Sequence, residues 1–159
     1  MRQPIQVLVY VARHNASEWQ YLLLHRIARA DDFWQGVTGG VENDETLLQA
    51  AGRELEEETG FTPKWLVDLD HSYTFPVADK WRDLYAPGVR EIREHVFLAE
   101  VPAEADPAID PREHDAWRWC PFEEALDWLR WPDNRDALRR AHSWLADRRA
   151  RAAQNTNHS

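Results

Sequence analysis

The stretch "GGVENDETLLQAAGRELEEETGF", residues 39–61, decides the fold of this chain. Its second half places Glu54, Glu57 and Glu58 three and four residues apart. Residues with this spacing share one face of an α-helix, so the three carboxylates would converge. The apolar positions between them predict a helix over residues 45–59 that packs its other face on a sheet.

Two interpretations of these glutamates are open at this point. The simpler one is a charged helix face in solvent. However, like charges at i and i+4 destabilise a helix by roughly 0.2–0.5 kcal/mol per pair, and Gly52 in the helix interior adds up to about 1 kcal/mol. Converging carboxylates are instead what Mg²⁺ or Mn²⁺ requires from a protein. The sequence therefore favours a metal site, to which the backbone carbonyl of Thr38 can contribute if Gly39 and Gly40 form a tight turn.

The same stretch fills every specified position of the motif G-x5-E-x7-R-E-U-x-E-E-x-G-U, where U is a bulky apolar residue. In this motif the chain resembles the Nudix hydrolase family. The resemblance implies an α/β (α+β) Nudix fold, a mixed β-sheet sandwiched between α-helices, and metal-dependent hydrolysis of a phosphoanhydride bond with Mg²⁺ or Mn²⁺. It implies catalytic and metal-binding roles for Glu54, Glu57 and Glu58. Four further residues would hold the motif together: Gly39, Glu45, Arg53 and Gly60.

The flanking segments resemble a narrower group, the dihydroneopterin triphosphate pyrophosphatases of bacterial folate biosynthesis. The residues that carry this resemblance are "FWQGVTGG" (33–40), "YAPGV" (85–89), "REH" (112–114) and "DNR" (133–135). It implies that dihydroneopterin triphosphate is cut to its monophosphate and pyrophosphate. Glu113 would then be a further metal ligand or catalytic base from a distant loop. Arg2, Arg26 and Thr38 would lie near the substrate.

Aromatic residues in these flanks suggest where a ring could bind. Phe33 and Trp34 offer flat faces for a base or pterin ring, although core packing explains them equally well. Tyr85 can line a pocket or simply precede a turn. His95 and His114 are better explained as structural histidines than as catalytic ones.

Two alternatives to the narrow function stay open. One is a general Nudix hydrolase of (d)NTPs, oxidised nucleotides or dinucleoside polyphosphates. The other is a Nudix-fold ligand sensor without turnover, which the complete glutamate set argues against.

The remaining pattern predicts a single Nudix hydrolase domain over residues 1–150 and a disordered polar tail over 151–159. β-branched and aliphatic runs predict strands, and a 3.6-residue apolar period predicts helices. The predicted strands are 5–13, 21–26, 65–75, 94–101 and 116–119, and the further helices are 121–129 and 133–150.

Composition limits the partners. The net charge of −9 disfavours a duplex nucleic-acid binder, and no apolar run is long enough to span a membrane. The single cysteine, Cys120, allows no internal disulfide and agrees with a cytoplasmic location. The expected partner is a small phosphorylated substrate, and the sequence does not fix an oligomeric state.

Overall fold

A computed structural model describes the backbone of residues 1–26 and 32–157 and the side chains of these residues up to 152. The elements, in chain order, are β1 (Ile5–Asn15), β2 (Glu18–Arg26), β3 (Trp34–Gln35), β4 (Val37–Gly40), α1 (Leu47–Thr59), β5 (Trp65–Pro76), a 3₁₀ helix (Asp79–Leu84), β6 (Glu91–Glu100), β7 (His114–Pro121), α2 (Phe122–Trp128) and α3 (Pro132–Asn157). None of these helices has the length and apolar character that a bilayer crossing requires.

The seven strands form one mixed sheet with β1 at its centre. β1 runs parallel to β6 and antiparallel to β2 and β4. β5 continues the sheet beyond β6, while β3 and β7 both pair with β2. The expected mixed sheet is confirmed.

The two faces of the sheet are buried by different helices. Because successive side chains of a strand point to opposite faces, alternate residues of β1 enter different apolar clusters. One cluster joins β1 to α1, through Val7, Val9, Val11, Ala51 and Leu55. The other joins β1 to α2 and α3, through Leu8, Tyr10, Ala12, Leu126, Leu138 and Leu145. The sheet is therefore sandwiched between helices, as the resemblance implied.

Helix α1 begins and ends at residues that suit its termini. The Thr46 hydroxyl accepts a hydrogen bond from the backbone N–H of Gln49, and the Gln49 side chain accepts one from the Thr46 N–H. This reciprocal pair is a capping box. Gly60 takes the left-handed conformation at φ 75° and donates its N–H to the carbonyl of Glu56. The helix thus starts two residues later than predicted and ends where predicted.

One prediction for the backbone was wrong. Gly39 and Gly40 belong to strand β4, paired with Val7 and Gln6, and do not form a turn. Strands β1 and β2 form a hairpin whose two-residue turn is residues 16–17. Helix α3 continues through Asn157, in keeping with the helix-forming alanines and arginine after residue 150.

Candidate active site

Arg53 fixes the position of the strand before α1 relative to the helix. Its guanidinium donates to both carboxylate oxygens of Glu45, at 2.7 and 2.9 Å, and to the carbonyl of Gly40 at 2.9 Å. It also donates to Glu54 at 2.9 Å and to Glu57 at 3.2 Å. The planar fork of arginine suits such multiple contacts. One cation therefore orients three acidic side chains and the end of β4.

Gly39 makes room for Glu54. A Cβ atom built on residue 39 would lie 2.0 Å from Cδ of Glu54, well inside van der Waals contact. A Cβ atom at the neighbouring position 40 would meet none of the described residues within 4 Å, apart from its own chain neighbours. Glycine is thus required at position 39 for close approach of a carboxylate to the strand backbone, and not for an unusual backbone angle.

A second cluster of acidic residues accompanies the glutamates around Arg53. Glu58, Glu113 and His114 offer ligand atoms that all lie within 4.8 Å of one another. The register of β2 and β7 places Arg26 opposite His114, at an irregularity in the pairing. Among the described residues, Oε2 of Glu58 and Nδ1 of His114 are buried and find no hydrogen-bond partner. Buried polar atoms are normally satisfied, so these two require a ligand or a water.

Burial and like charge raise the pKa values of two glutamates. Burial raises the pKa of Glu54 to about 7, against the opposing effect of Arg53. Burial, together with the charges of Glu54 and Glu113, raises the pKa of Glu58 to about 10, and Arg26 opposes this. Burial lowers the pKa of His114. Positive charge at this position would favour the ionised carboxylates.

Glu54, Glu58, Glu113 and His114 all line a cavity of about 780 Å³. The predicted site residues that line it are Arg2, Arg26, Thr38, Gly39, Glu54, Tyr85 and Glu113, together with Glu58. Tyr85 is held by an isolated backbone bridge to Arg2, whose N–H donates to the carbonyl of Leu84 at 2.8 Å. The cavity continues to Asp133 and Asn134 at the start of α3.

Two residues predicted to bind metal or substrate, Glu57 and Trp34, lie outside the cavity lining. Glu57 is largely exposed and pairs with Arg53. Trp34 packs against His25 and Trp128, with the guanidinium of Arg118 4.9 Å from its ring centre. Trp34 thus lies outside the cavity, whereas its neighbour Phe33 lines it, because side chains alternate along extended backbone.

The NUDIX domain family model matches residues 2–141 of this chain. The chain belongs to the Nudix family. It is 32% identical over 142 residues to the dihydroneopterin triphosphate diphosphatase of Haemophilus influenzae, covering 87% of this chain and 85% of that protein. It is also 36% identical over 135 residues to an octanoyltransferase of Myxococcus xanthus, covering 85% of this chain but only 36% of that longer protein.

A solved structure agrees with this assignment. The dihydroneopterin triphosphate pyrophosphohydrolase of E. coli superposes with a TM-score of 0.72 and 33% sequence identity, covering 86% of this chain and 93% of that one. The Nudix fold and a hydrolase acting on phosphoanhydrides are therefore established for this chain at the level of the family.

The donor set of this Nudix domain fits a divalent metal ion. Nudix hydrolases generally use divalent metals, and the cluster here offers carboxylate oxygens with one imidazole nitrogen. The unpartnered Oε2 of Glu58 points to the same use. Hard cations such as Mg²⁺ and Mn²⁺ prefer such oxygen ligands.

Residues missed by sequence analysis also line the cavity. Glu94 is only 3% exposed, yet it lies on β6 among Ile92, Val96 and Leu98, which are all buried. The period-two pattern of that strand could have revealed it, because a glutamate is almost never buried without partners. His114, interpreted from sequence as a structural histidine, lies in the acidic cluster because β7 pairs with β2.

Proposed function

We propose that this Nudix hydrolase cuts dihydroneopterin triphosphate to dihydroneopterin monophosphate and pyrophosphate, with Mg²⁺ or Mn²⁺ as cofactor. The observation that carries the proposal is that acidic residues of the motif and several aromatic side chains line the same cavity. The Haemophilus influenzae relative and the E. coli structure are both named for this activity. The match covers 85% and 93% of their lengths, which supports the proposal.

The cavity lining carries both positive and negative side chains. Arg2 and Arg26 line it together with Glu54, Glu58 and Glu113. Metal held by the three glutamates would neutralise phosphate oxygens and lower the pKa of an attacking water. Arg26 and Arg2 would bind the phosphate groups directly through charge-assisted hydrogen bonds. Such positioning and charge stabilisation supply most of the catalysis in phosphoryl-group chemistry.

Glu54 and Glu113 are the two candidates for the general base. Glu54 is held by Arg53 at 2.9 Å and by the surface of Gly39, so its oxygens have a fixed direction. Glu113 stands on a turn in which its N–H and that of His114 both donate to the carbonyl of Asp110. A base must reach the proton that it accepts, and both side chains line the cavity. We propose that Glu54 orients the site and that one of the two carboxylates, Glu54 or Glu113, accepts the proton.

Several aromatic side chains also line the cavity. Phe33 and Trp131 meet edge to face with their centres 4.6 Å apart, and both line the cavity. Phe75, Trp81 and Tyr85 line it as well. A flat heterocycle that stacks on such side chains gains roughly 1–3 kcal/mol, judged from nucleic-acid bases. These aromatic side chains would therefore hold a bicyclic pterin by stacking.

A broader substrate range is the second candidate. Trp81 and Trp131 are 41% and 40% exposed, so the aromatic lining is open and stacking there tolerates several ring systems. We expect measurable hydrolysis of ordinary purine triphosphates, with kcat/KM at least about tenfold below that for dihydroneopterin triphosphate.

Steady-state kinetics over a panel of substrates tests the proposal. The panel comprises dihydroneopterin triphosphate, dGTP, dATP, 8-oxo-dGTP and diadenosine tetraphosphate, each with Mg²⁺ and with Mn²⁺. We expect dihydroneopterin triphosphate to have the highest kcat/KM. A higher value for any nucleotide would favour the general hydrolase, and specific binding without turnover of any substrate would favour the sensor.

A further inference from the structure

A buried polar network lies in the lining of the cavity. Glu94 accepts hydrogen bonds on Oε1 from the Tyr73 hydroxyl and on Oε2 from the Gln6 amide. The Tyr73 hydroxyl in turn accepts a hydrogen bond from Asn134 at 2.9 Å. Gln6, Tyr73, Glu94 and Asn134 all line the cavity. Gln6 and Tyr73 therefore hold this carboxylate directly, and Asn134 orients the Tyr73 hydroxyl.

The strand register places this network at a defined distance from the acidic motif. Gly40 pairs with Gln6, Gln6 pairs with Glu94, and Glu94 pairs with Tyr73. These residues form a row across four neighbouring strands. Two strand spacings separate Gly40 from Glu94, which is about 10 Å. Gly40 is next to Gly39, which lies against the carboxylate of Glu54. The distance from Glu54 to Glu94 is therefore about the distance that separates the ring of a triphosphate substrate from its phosphate chain.

The chemistry of Glu94 selects for one kind of ring edge. An ionised carboxylate is only an acceptor and has about four lone-pair positions. Tyr73 and Gln6 occupy one position on each oxygen, so each oxygen can accept one further hydrogen bond. Two adjacent N–H donors on a ring match this pair of free positions. The 2-amino-4-oxopyrimidine edge of pterins and guanine has such donors, whereas adenine offers one donor beside one acceptor.

We propose that Glu94 is a specificity-determining residue that binds the 2-amino-4-oxopyrimidine edge of the substrate ring. This inference rests on the proposed function. Among the triphosphates that the enzyme hydrolyses, it predicts a preference for those of pterins and guanine. Burial raises the pKa of Glu94, while the hydrogen bonds from Tyr73 and Gln6 oppose that effect. Two N–H donors from a bound ring would favour the ionised form further.

Comparison of GTP with ITP isolates the proposed contact, because ITP lacks only the 2-amino group. We expect the wild-type enzyme to prefer GTP over ITP by about tenfold to a hundredfold in kcat/KM, as for one hydrogen bond to a charged acceptor. In Glu94→Gln an amide N–H₂ replaces one acceptor, so this ratio should fall to within about threefold of one. Hydrolysis of ITP should change much less, which also reports that the variant is folded.

Glu91→Gln is the matched control, because Glu91 lies on the same strand but is exposed. It should keep the wild-type ratio. A purely structural role for Glu94 predicts that Glu94→Gln lowers the rates with GTP and ITP equally, and this result would overturn the inference. So would a wild-type ratio near one.

Binding of the products separates this inference from the proposed function. Calorimetric titration of the wild-type protein with GMP and IMP tests ring recognition without turnover. Tighter binding of GMP by about tenfold or more, without hydrolysis of any triphosphate, would contradict the proposed function and support the role of Glu94. Equal binding of GMP and IMP alongside active hydrolysis would contradict the role of Glu94 alone.

Discussion

The carboxylate of Glu54 occupies the space into which any residue other than glycine at position 39 would place its Cβ, 2.0 Å from Glu54 Cδ. A methyl group there must displace the end of a flexible side chain and not the backbone. Gly39→Ala should therefore leave the free energy of unfolding within about 1 kcal/mol of wild type. It should lower kcat by about 10²-fold, the usual cost of a misplaced catalytic group.

The neighbouring glycine provides the control for this substitution. Gly40→Ala introduces the same methyl group where none of the described residues lies within 4 Å, apart from its own chain neighbours, so kcat should stay within about threefold of wild type. Equal activities of the two variants in a pyrophosphate-release assay would show that the approach of Glu54 to Gly39 has no part in catalysis.

Arg53→Lys should destabilise the protein by about 1–3 kcal/mol, because a lysine cannot bind both oxygens of Glu45 and the Gly40 carbonyl together. Urea unfolding measures this difference. Arg139→Lys is the control, since Arg139 makes a single exposed contact with Asp136, and its effect should stay within about 0.5 kcal/mol. A similar loss in both variants would mean that the fork of Arg53 is not what stabilises the motif.

Glu58→Gln should lower kcat by about 10²-fold or more, a rise in the barrier of roughly 3 kcal/mol. Its melting temperature without metal should hold, because burial and the charges of Glu54 and Glu113 raise the pKa of Glu58 to about 10, and its neutral carboxyl is replaced by a neutral amide. The increase in melting temperature that Mg²⁺ produces in the wild type should also disappear.

Glu56→Gln serves as its control, since Glu56 is exposed on the same helix and lies outside the cavity lining. It should keep both the activity and the response to Mg²⁺. A Glu58→Gln variant that melts far below the wild type but retains its kcat would assign Glu58 a structural role.

His142 should make stability depend on pH below neutrality. Its ring stacks on Phe122 with centres 3.9 Å apart and hydrogen-bonds the Tyr21 hydroxyl through Nδ1 at 2.7 Å. Burial lowers its pKa, against the opposing charge of Glu123. The unfolded chain therefore binds the proton first, and this contribution to stability is present above pH 6.5 and lost as the pH falls through the folded-state pKa.

Urea unfolding at pH 7.5 and pH 5.5 checks this dependence. The wild type should lose more stability between the two values than His142→Asn, which keeps a polar atom near the position of Nδ1. Identical losses in the two proteins would exclude His142 as a source of the pH dependence.

The acidic motif could be predicted from sequence because its information is local. The helix period alone relates Glu54 to Glu58, and Gly60 marks the helix end through its own backbone preference. Strand β4 was missed because a four-residue segment with two glycines has no strand pattern of its own. Its pairing with β1 is a long-range contact that the local sequence does not encode.

The polar network around Glu94 could not be predicted for the same reason. Glu94 and Tyr73 meet across β5 and β6, and Gln6 reaches the same carboxylate from β1. Phe33 and Trp34 are adjacent, and from sequence both are equally suited to stack on a ring. Only the direction of the chain decides which of the two faces the cavity. Periodicity can show that Glu94 points inward, but it cannot name its partners.

The most direct test of the central claim is the identity of the products formed from dihydroneopterin triphosphate in ¹⁸O-labelled water. Phosphorus NMR and mass spectrometry of a reaction with Mg²⁺ should show the monophosphate and pyrophosphate in equal amounts, with one ¹⁸O atom in one of them. The same reaction in excess EDTA should show no turnover. Release of inorganic phosphate as the first product, or full activity in EDTA, would contradict the account.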